Sequence, residues 1–157
     1  MKQTLFVAGF ILLFGHCTSS LSPRKLTDAD GLVIRTGTSA GMCIGYCAFD
    51  YELSGTNLTL TQRPNGVQSN LTTKTCQSTI SQTDLNDLLG TIDLDAFFKQ
   101  PTVLGCPDCA DGGAEYVELQ LGEQKHRVTF QYGQTIPGSE ALVDRLRTHR
   151  AALNVCK

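Results

Sequence analysis

Two cysteines separated by two residues, Cys106 and Cys109, are the residues of this sequence whose type and spacing are best suited to chemistry. Such a pair acts as a redox centre when the free N–H groups of a helix N-terminus stabilise the first thiolate and lower the pKa of its thiol. The same spacing also serves a structural disulfide. With two further thiolates, such as those of Cys43 and Cys47, it serves a zinc site.

The segment Cys106-Pro107-Asp108-Cys109 resembles the thioredoxin-type motif, over these four residues only. That motif stands at a strand-to-helix junction, whereas Asp111 and two glycines follow here and break any helix. Asp108 and Asp111 also bring negative charge close to the thiols, which raises a thiol pKa and suppresses nucleophilic attack. We therefore predict a structural role for this pair and no disulfide-reductase activity.

The cysteine count favours a disulfide framework. The chain has seven cysteines, and Cys17 lies where an export signal would end, which leaves six in the mature chain. An even set behind an export signal is typical of disulfides formed in an oxidising compartment, where the free thiolates of a zinc site are disfavoured. We predict three disulfides, no metal and no other cofactor. The six cysteines are Cys43, Cys47, Cys76, Cys106, Cys109 and Cys156.

The N-terminal residues predict export. Lys2 supplies a positive start, residues 5–14 form an apolar run, and small and polar residues follow. This pattern is that of a secretory signal, and the run is shorter than the roughly 20 apolar residues that span a bilayer. We therefore predict a signal peptide at residues 1–20, a polar N-terminal arm at 21–31 and a single disulfide-stabilised domain at 32–157. We expect the mature chain to be secreted, without a membrane span.

Two triplets match the acceptor for N-glycosylation. They begin at Asn57 and Asn70, and each continues with Leu and Thr. Asn57 lies beside a predicted hairpin turn and Asn70 lies in a predicted polar loop, so both are expected to be exposed. We predict that both are glycosylated in a eukaryotic host.

The other candidate residues do not form a catalytic set. His126 and His149 lack carboxylates at a spacing that would orient a base, so we predict surface histidines. Ser39 lies in a Gly-Thr-Ser-Ala-Gly segment, which has the spacing of the hydrolase Gly-x-Ser-x-Gly pattern. Residues 37–45 are predicted as a turn or bulged edge rather than the strand-to-helix turn that this pattern requires, so we do not assign Ser39 as a nucleophile. Asp93 and Asp95 lack the later glycine and glutamate of a calcium loop, and Asp93 is better suited to cap a helix. We assign no catalytic or metal-binding residue.

Hydrophobic patterning predicts two β-hairpins. Apolar residues alternate with polar residues over residues 49–60, around a Ser-Gly-Thr turn, and again over residues 116–132. Residues 32–34 form a short β-branched run that predicts an N-terminal strand. Residues 63–75 are polar and predict a loop.

Two amphipathic segments predict helices. Leu85, Leu88 and Leu89 recur at helical spacing after two hydroxyl residues that can serve as caps, Ser81 and Thr83. A final helix follows Pro137, with arginines predicted on the side opposite its apolar stripe. Together these elements predict an α+β fold: an antiparallel sheet of two hairpins plus a short N-terminal strand, with two helices packed on one face.

Composition narrows the function. Hydrophobic residues make up 41% of the chain, charged residues 18%, and the net charge is −2. No basic stripe is present, so we do not expect nucleic acid as a partner. We predict a secreted, non-enzymatic extracellular binding or matrix component with an extracellular protein or matrix partner. One alternative is an inhibitor or effector that presents the disulfide-held loop at residues 106–113 to a protein. The other is a thiol–disulfide oxidoreductase that uses Cys106 and Cys109.

Overall fold

The computed structural model describes residues 26–27, 30–64 and 70–152. Its strands are β1 (Val33–Ser39), β2 (Tyr46–Ser54), β3 (Asn57–Pro64), β4 (Lys74–Thr79), β5 (Val103–Leu104), β6 (Ala114–Leu121) and β7 (Gln124–Gln131). Its α-helices are α1 (Gln82–Leu89), α2 (Leu94–Phe97) and α3 (Glu140–Ala152).

The strands form a seven-stranded sheet in the order β4-β3-β2-β1-β6-β7-β5. All neighbours are antiparallel except β5 and β7, which are parallel. The central strand β1 joins the two hairpins, since Ile34 lies opposite Leu53 on β2 and opposite Leu119 on β6.

The predicted fold is wrong in its strands and helices: the sheet is mixed, with seven strands, and three helices accompany it. The predicted loop over residues 63–75 is wrong at both ends, because β3 extends to Pro64 and β4 begins at Lys74. β4 carries no apolar alternation in its sequence. It is an edge strand, mostly exposed, and its backbone pairing with β3 holds it in place. β5 has two residues and is too short for a periodic pattern to reveal it. α2 has four residues, and the sequence indicates it only through its cap, Asp93.

One face of the sheet packs against the helices. Alternation along the strands turns apolar residues toward this face, where they are withdrawn from water together with leucines of α1 and α3 and with Phe97. Leu26, in the segment predicted as a polar arm, is also buried in this core. At the start of α1, the Ser81 hydroxyl accepts a hydrogen bond from the backbone N–H of Asp84, at 3.1 Å.

The two ends of the sheet differ. At one, which we call the turn end, the β2–β3 and β6–β7 hairpins reverse at Gly55 and Gly122, both with positive φ. The opposite end, the loop end, carries the β1–β2, β3–β4 and β5–β6 connections and the start of the β7–α3 connection. Within the described part of the chain, no helix has the length and apolar character needed to cross a bilayer.

Candidate binding site at the loop end

Two short disulfide-held loops lie at the loop end. The first is closed by Cys43 and Cys47, whose Cα atoms are 5.6 Å apart, and it connects β1 to β2. The second is closed by Cys106 and Cys109, with Cα atoms 5.5 Å apart, and it precedes β6. A hydrogen bond from the Ala40 N–H to the Cys47 carbonyl, at 3.0 Å, fastens the first loop to the end of β1.

The second loop is also closed by its own hydrogen bonds. The N–H of Asp108 donates to the Gly113 carbonyl at 2.9 Å, and the Gly113 N–H donates back to the Asp108 carboxylate at 3.2 Å. Asp108, Ala110 and Asp111 all have left-handed φ, between 51° and 59°. Left-handed backbone is unfavourable for L-residues, so the cross-links of this loop hold a conformation that the chain would not adopt alone.

The surroundings of Cys106 and Cys109 differ from those of a reactive pair. Cys109 begins a three-residue 3-10 turn that ends at Asp111, and two glycines follow. The pair therefore has no α-helix N-terminus whose N–H groups would stabilise a thiolate. All four cysteines considered for zinc are engaged in the two disulfides. The described residues contain no group of three or more His, Cys, Asp or Glu arranged to hold a metal ion.

A cleft of about 280 Å³ lies between the two loops. The loops approach each other closely, because a Cβ added to Gly41 would lie 3.1 Å from an oxygen of Asp108. Asp111 is a charged residue in the cleft wall. The lining residues come from both loops and from the adjoining strand ends: Thr38, Ser39, Ala40, Cys43, Tyr46, Cys47, Phe49, Asp111, Gly112, Gly113 and Tyr132.

Exposed apolar side chains lie on the connections at the loop end, and one of them, Tyr132, lines the cleft. Among the described residues, five large apolar side chains are strongly exposed: Met42, Ile44, Leu71, Val103 and Tyr132. All except Val103 lie on connections at the loop end, and Met42 and Ile44 are 78% and 90% exposed. Apolar side chains grouped on a surface are typical of sites that contact another molecule.

A buried carboxylate, Glu115, anchors α3 beside the cleft. Glu115 is 2% exposed and binds Arg147 through two hydrogen bonds, at 3.0 and 3.1 Å, and Arg150 through one at 2.8 Å. It also accepts from the Gly133 N–H at 3.1 Å. Burial raises the pKa of Glu115, but the hydrogen bonds from Arg147, Gly133 and Arg150 outweigh burial and bring the pKa below its usual value.

The prediction that arginines lie opposite the apolar stripe of α3 is wrong for Arg147 and Arg150, which turn toward the sheet. Arg145 does face outward, 49% exposed, and lies 3.7 Å from Asp87. Arg147 and Arg150 both bind Glu115, which precedes them in the sequence by 32 and 35 residues. Only the packing of α3 on the sheet brings them together. A hollow of about 480 Å³ beside them shares Thr38 and Tyr132 with the cleft.

The second face of the sheet carries a charged network around Glu118, which is 2% exposed. Its carboxylate meets Arg35 and Lys125 at 3.0 Å and Arg127 at 2.8 Å. Burial raises the pKa of Glu118, but hydrogen bonds from Lys125, Arg127 and Arg35 outweigh burial and lower it.

The network continues toward the loop end through Tyr116. The Arg127 guanidinium lies 4.0 Å from the centre of the Tyr116 ring, whose hydroxyl donates to Asp50 at 2.7 Å. Asp50 in turn pairs with Arg63 at 2.6 Å. Each of these named charges thus has an opposite charge beside it, so the network stabilises the sheet and is a weaker candidate for ligand binding than the cleft.

The other predicted site residues are dispersed. His126, predicted to be a surface residue, instead packs its ring 5.9 Å from that of Phe97 and donates from Nε2 to the Gln100 carbonyl at 2.9 Å. His149 lines a small apolar cavity between the sheet and the helices. Asp93 caps α2 by accepting from the Ala96 N–H at 3.0 Å.

The two predicted glycosylation acceptors lie at opposite ends of the sheet. Asn57 is exposed at the turn end, and Asn70 is exposed at the loop end, on the β3–β4 connection. Cys76, on β4, is disulfide-bonded. Cys156 and the predicted signal peptide lie outside the described residues.

Comparison with known proteins adds no relative: no family model matches the sequence, and no curated protein is similar to it.

Proposed function

We propose that this chain is a secreted, non-enzymatic extracellular binding protein whose loop end binds a protein partner. The observation that carries the proposal is the convergence of two disulfide-held loops on one cleft, with Met42, Ile44 and Tyr132 exposed at the same end of the sheet.

The rigidity of these loops suits them to binding. Immobilising a flexible loop costs free energy on association, and a loop that is already cross-linked avoids most of that cost. The disulfides close segments of five and four residues, and the hydrogen bonds between Asp108 and Gly113 fix the rest of the second loop. The left-handed residues in that loop agree with this role, since strained backbone persists where the surrounding structure holds it and is concentrated at functional sites.

The chemistry of the surface favours a protein as the partner. The cores of protein–protein interfaces are enriched in Met and aromatic residues and depleted in charge. Met42, Ile44 and Tyr132 match this composition. The charged second face differs, because its groups already neutralise one another.

Substitution of the exposed apolar residues tests the proposal. The wild-type chain is immobilised and used to capture a partner from extracellular fluid or matrix of the source, and the captured protein is then purified. Its affinity is measured for wild type, for a Met42→Ser/Ile44→Ser variant and for Val103→Ser. Val103 is a matched control because it is 56% exposed but lies on the edge strand β5, outside the cleft lining.

We expect the double variant to bind at least tenfold more weakly, as removal of interface anchors typically does, and the control to bind like wild type. Equal affinities for all three proteins would place the binding surface elsewhere.

An insulin-reduction assay tests the non-enzymatic part of the proposal. We expect no reduction of insulin by the native protein, because the loop lacks the helix that activates a thiolate. Reduction that disappears in a Cys106→Ser/Cys109→Ser variant would instead support the oxidoreductase alternative.

A further inference from the structure

The two glycosylation acceptors lie at opposite ends of the sheet. Asn57 is the first residue of β3, at the turn end. Asn70 follows β3 and precedes β4, at the loop end. A glycan on either residue would be bulky and polar, but only the one on Asn70 would stand near the cleft.

The acceptor triplet that begins at Asn70 is hydrogen-bonded to the first disulfide-held loop through its last residue, Thr72. The Tyr46 hydroxyl donates to the backbone carbonyl of Thr72 at 3.0 Å, and the Lys74 ammonium lies 5.4 Å from the centre of the Tyr46 ring. Tyr46 lies between Cys43 and Cys47 and lines the cleft. Since two residues of chain span at most about 7 Å, the Asn70 backbone lies within about 7 Å of Thr72 and therefore next to this loop.

The acceptor is also accessible. Asn70, Leu71 and Thr72 are all exposed, and the carbonyl of Thr72, rather than its hydroxyl, is used in the contact with Tyr46. The Thr72 hydroxyl therefore stays available for recognition as part of the acceptor triplet.

We infer that an N-glycan on Asn70 covers the Cys43–Cys47 side of the cleft and so slows the approach of a partner to Met42 and Ile44. A glycan on Asn57 leaves the cleft uncovered. The consequence for the partner rests on the proposed function, whereas the covering itself does not.

Hydroxyl-radical labelling of protein from a glycosylating eukaryotic host tests this inference without any partner. Wild type, Asn70→Gln, Thr72→Ala and Asn57→Gln are compared, with glycan occupancy measured by mass spectrometry. Met42 and Tyr46 report on the Cys43–Cys47 side, and Tyr132 reports on the other side. The chain contains two methionines, Met1 and Met42. Met1 lies in the predicted signal peptide, so methionine labelling of the processed protein reports on Met42.

We expect the labelling of Met42 and Tyr46 to rise at least twofold in both Asn70→Gln and Thr72→Ala, with Tyr132 unchanged. Agreement between these two variants assigns the effect to the glycan rather than to the Asn70 side chain. The Asn57→Gln variant should label like wild type.

An Asn70 that carries no glycan would overturn the inference, and so would an occupied Asn70 with equal labelling of Met42 in all four proteins. Failure to find a partner would count against the proposed function alone, because labelling does not involve one. Where a partner is available, removal of the Asn70 glycan should speed association and removal of the Asn57 glycan should not.

Discussion

The chain reverses direction at both ends of the sheet, but its left-handed backbone is accommodated differently at each end. At the turn end, each hairpin turns on a glycine with left-handed φ, and a Cβ added to Gly122 would meet nothing within 4 Å. At the loop end, Asp108, Ala110 and Asp111 adopt left-handed φ without the freedom of glycine. Their loop is held instead by a disulfide and by hydrogen bonds to Gly113.

This difference separates local from long-range control of structure. Glycine turns are specified by two or three adjacent residues and do not need packing contacts from the rest of the protein. The loop end depends on cross-links and on Glu115, which ties β6 to α3 and to the start of the β7–α3 connection. Binding residues are commonly carried by loops that a rigid scaffold holds in place, and the loop end has this construction.

The largest effect expected at the loop end is that of Glu115→Gln. This change leaves Arg147 and Arg150 without their buried carboxylate, and breaking a buried pair in this way should lower the free energy of unfolding by about 3 kcal/mol. The matched control is Glu52→Gln, because Glu52 is 48% exposed and pairs with Arg35 at 2.6 Å. Its cost should be about 1 kcal/mol or less. Urea denaturation measures both, and equal costs would contradict the anchoring role of Glu115.

The disulfides should contribute next. Replacing both cysteines by serine, in either loop, should lower the free energy of unfolding by about 2 kcal/mol, since very short closed segments restrict the unfolded chain least. Thermal unfolding of both double variants gives the comparison. A double variant as stable as wild type would show that the hydrogen bonds alone hold its loop.

The connectivity of the remaining cysteines is a separate prediction. With Cys43–Cys47 and Cys106–Cys109 paired, three bridges in the mature chain require that Cys76 bond to Cys156. Peptide mapping of the unreduced native protein should recover a cross-linked peptide that contains both residues. Two free thiols in the native protein would contradict the six-cysteine framework.

A glycine at each end gives a smaller, directly matched comparison. Gly122→Ala should cost about 1 kcal/mol, the usual penalty for left-handed backbone with a Cβ, because its surroundings are open. Gly113→Ala should cost roughly 2 kcal/mol, because its Cβ would also lie 2.9 Å from the Ser39 carbonyl. Denaturant midpoints of the two variants measure the difference. Equal costs would imply that the end of β1 yields without strain.

The smallest effect concerns pH, and it compares the two faces of β6. The pKa values of Glu115 and Glu118 lie below their ordinary value of 4.5 in the folded protein. Their contribution to stability is therefore complete above about pH 5 and is lost as the pH falls below 4.5 through the folded values. Denaturation at several pH values should show this decline, with a shallower slope in Glu115→Gln. An unchanged slope would leave Glu118 responsible for the pH dependence.

The two hairpins could be predicted from the sequence because local residue patterns specify them. Residues 49–60 and 116–132 alternate apolar and polar residues around glycine turns, which determines strand direction and the buried face locally. β4 could not be predicted, since its six residues are mostly exposed and are held by backbone hydrogen bonds to β3. Backbone hydrogen bonds do not require particular side chains, so the residue types of β4 do not reveal them. The parallel pairing of β5 with β7 involves only two residues of β5, and it also gives no recognisable sequence pattern.

The residues of the candidate site could be identified from local sequence patterns: two close cysteine pairs, a glycine-rich segment after the second pair, and acceptor triplets at Asn57 and Asn70. Each of these is a local pattern whose chemistry follows from a few neighbouring residues. Their arrangement depends on the fold. The loops of Cys43 and Cys106 share one cleft because β1 pairs with both β2 and β6 and brings the ends of these strands together. Glu115 contacts arginines of α3 because the helix packs on the sheet, and contacts between such distant segments leave no local pattern in the sequence.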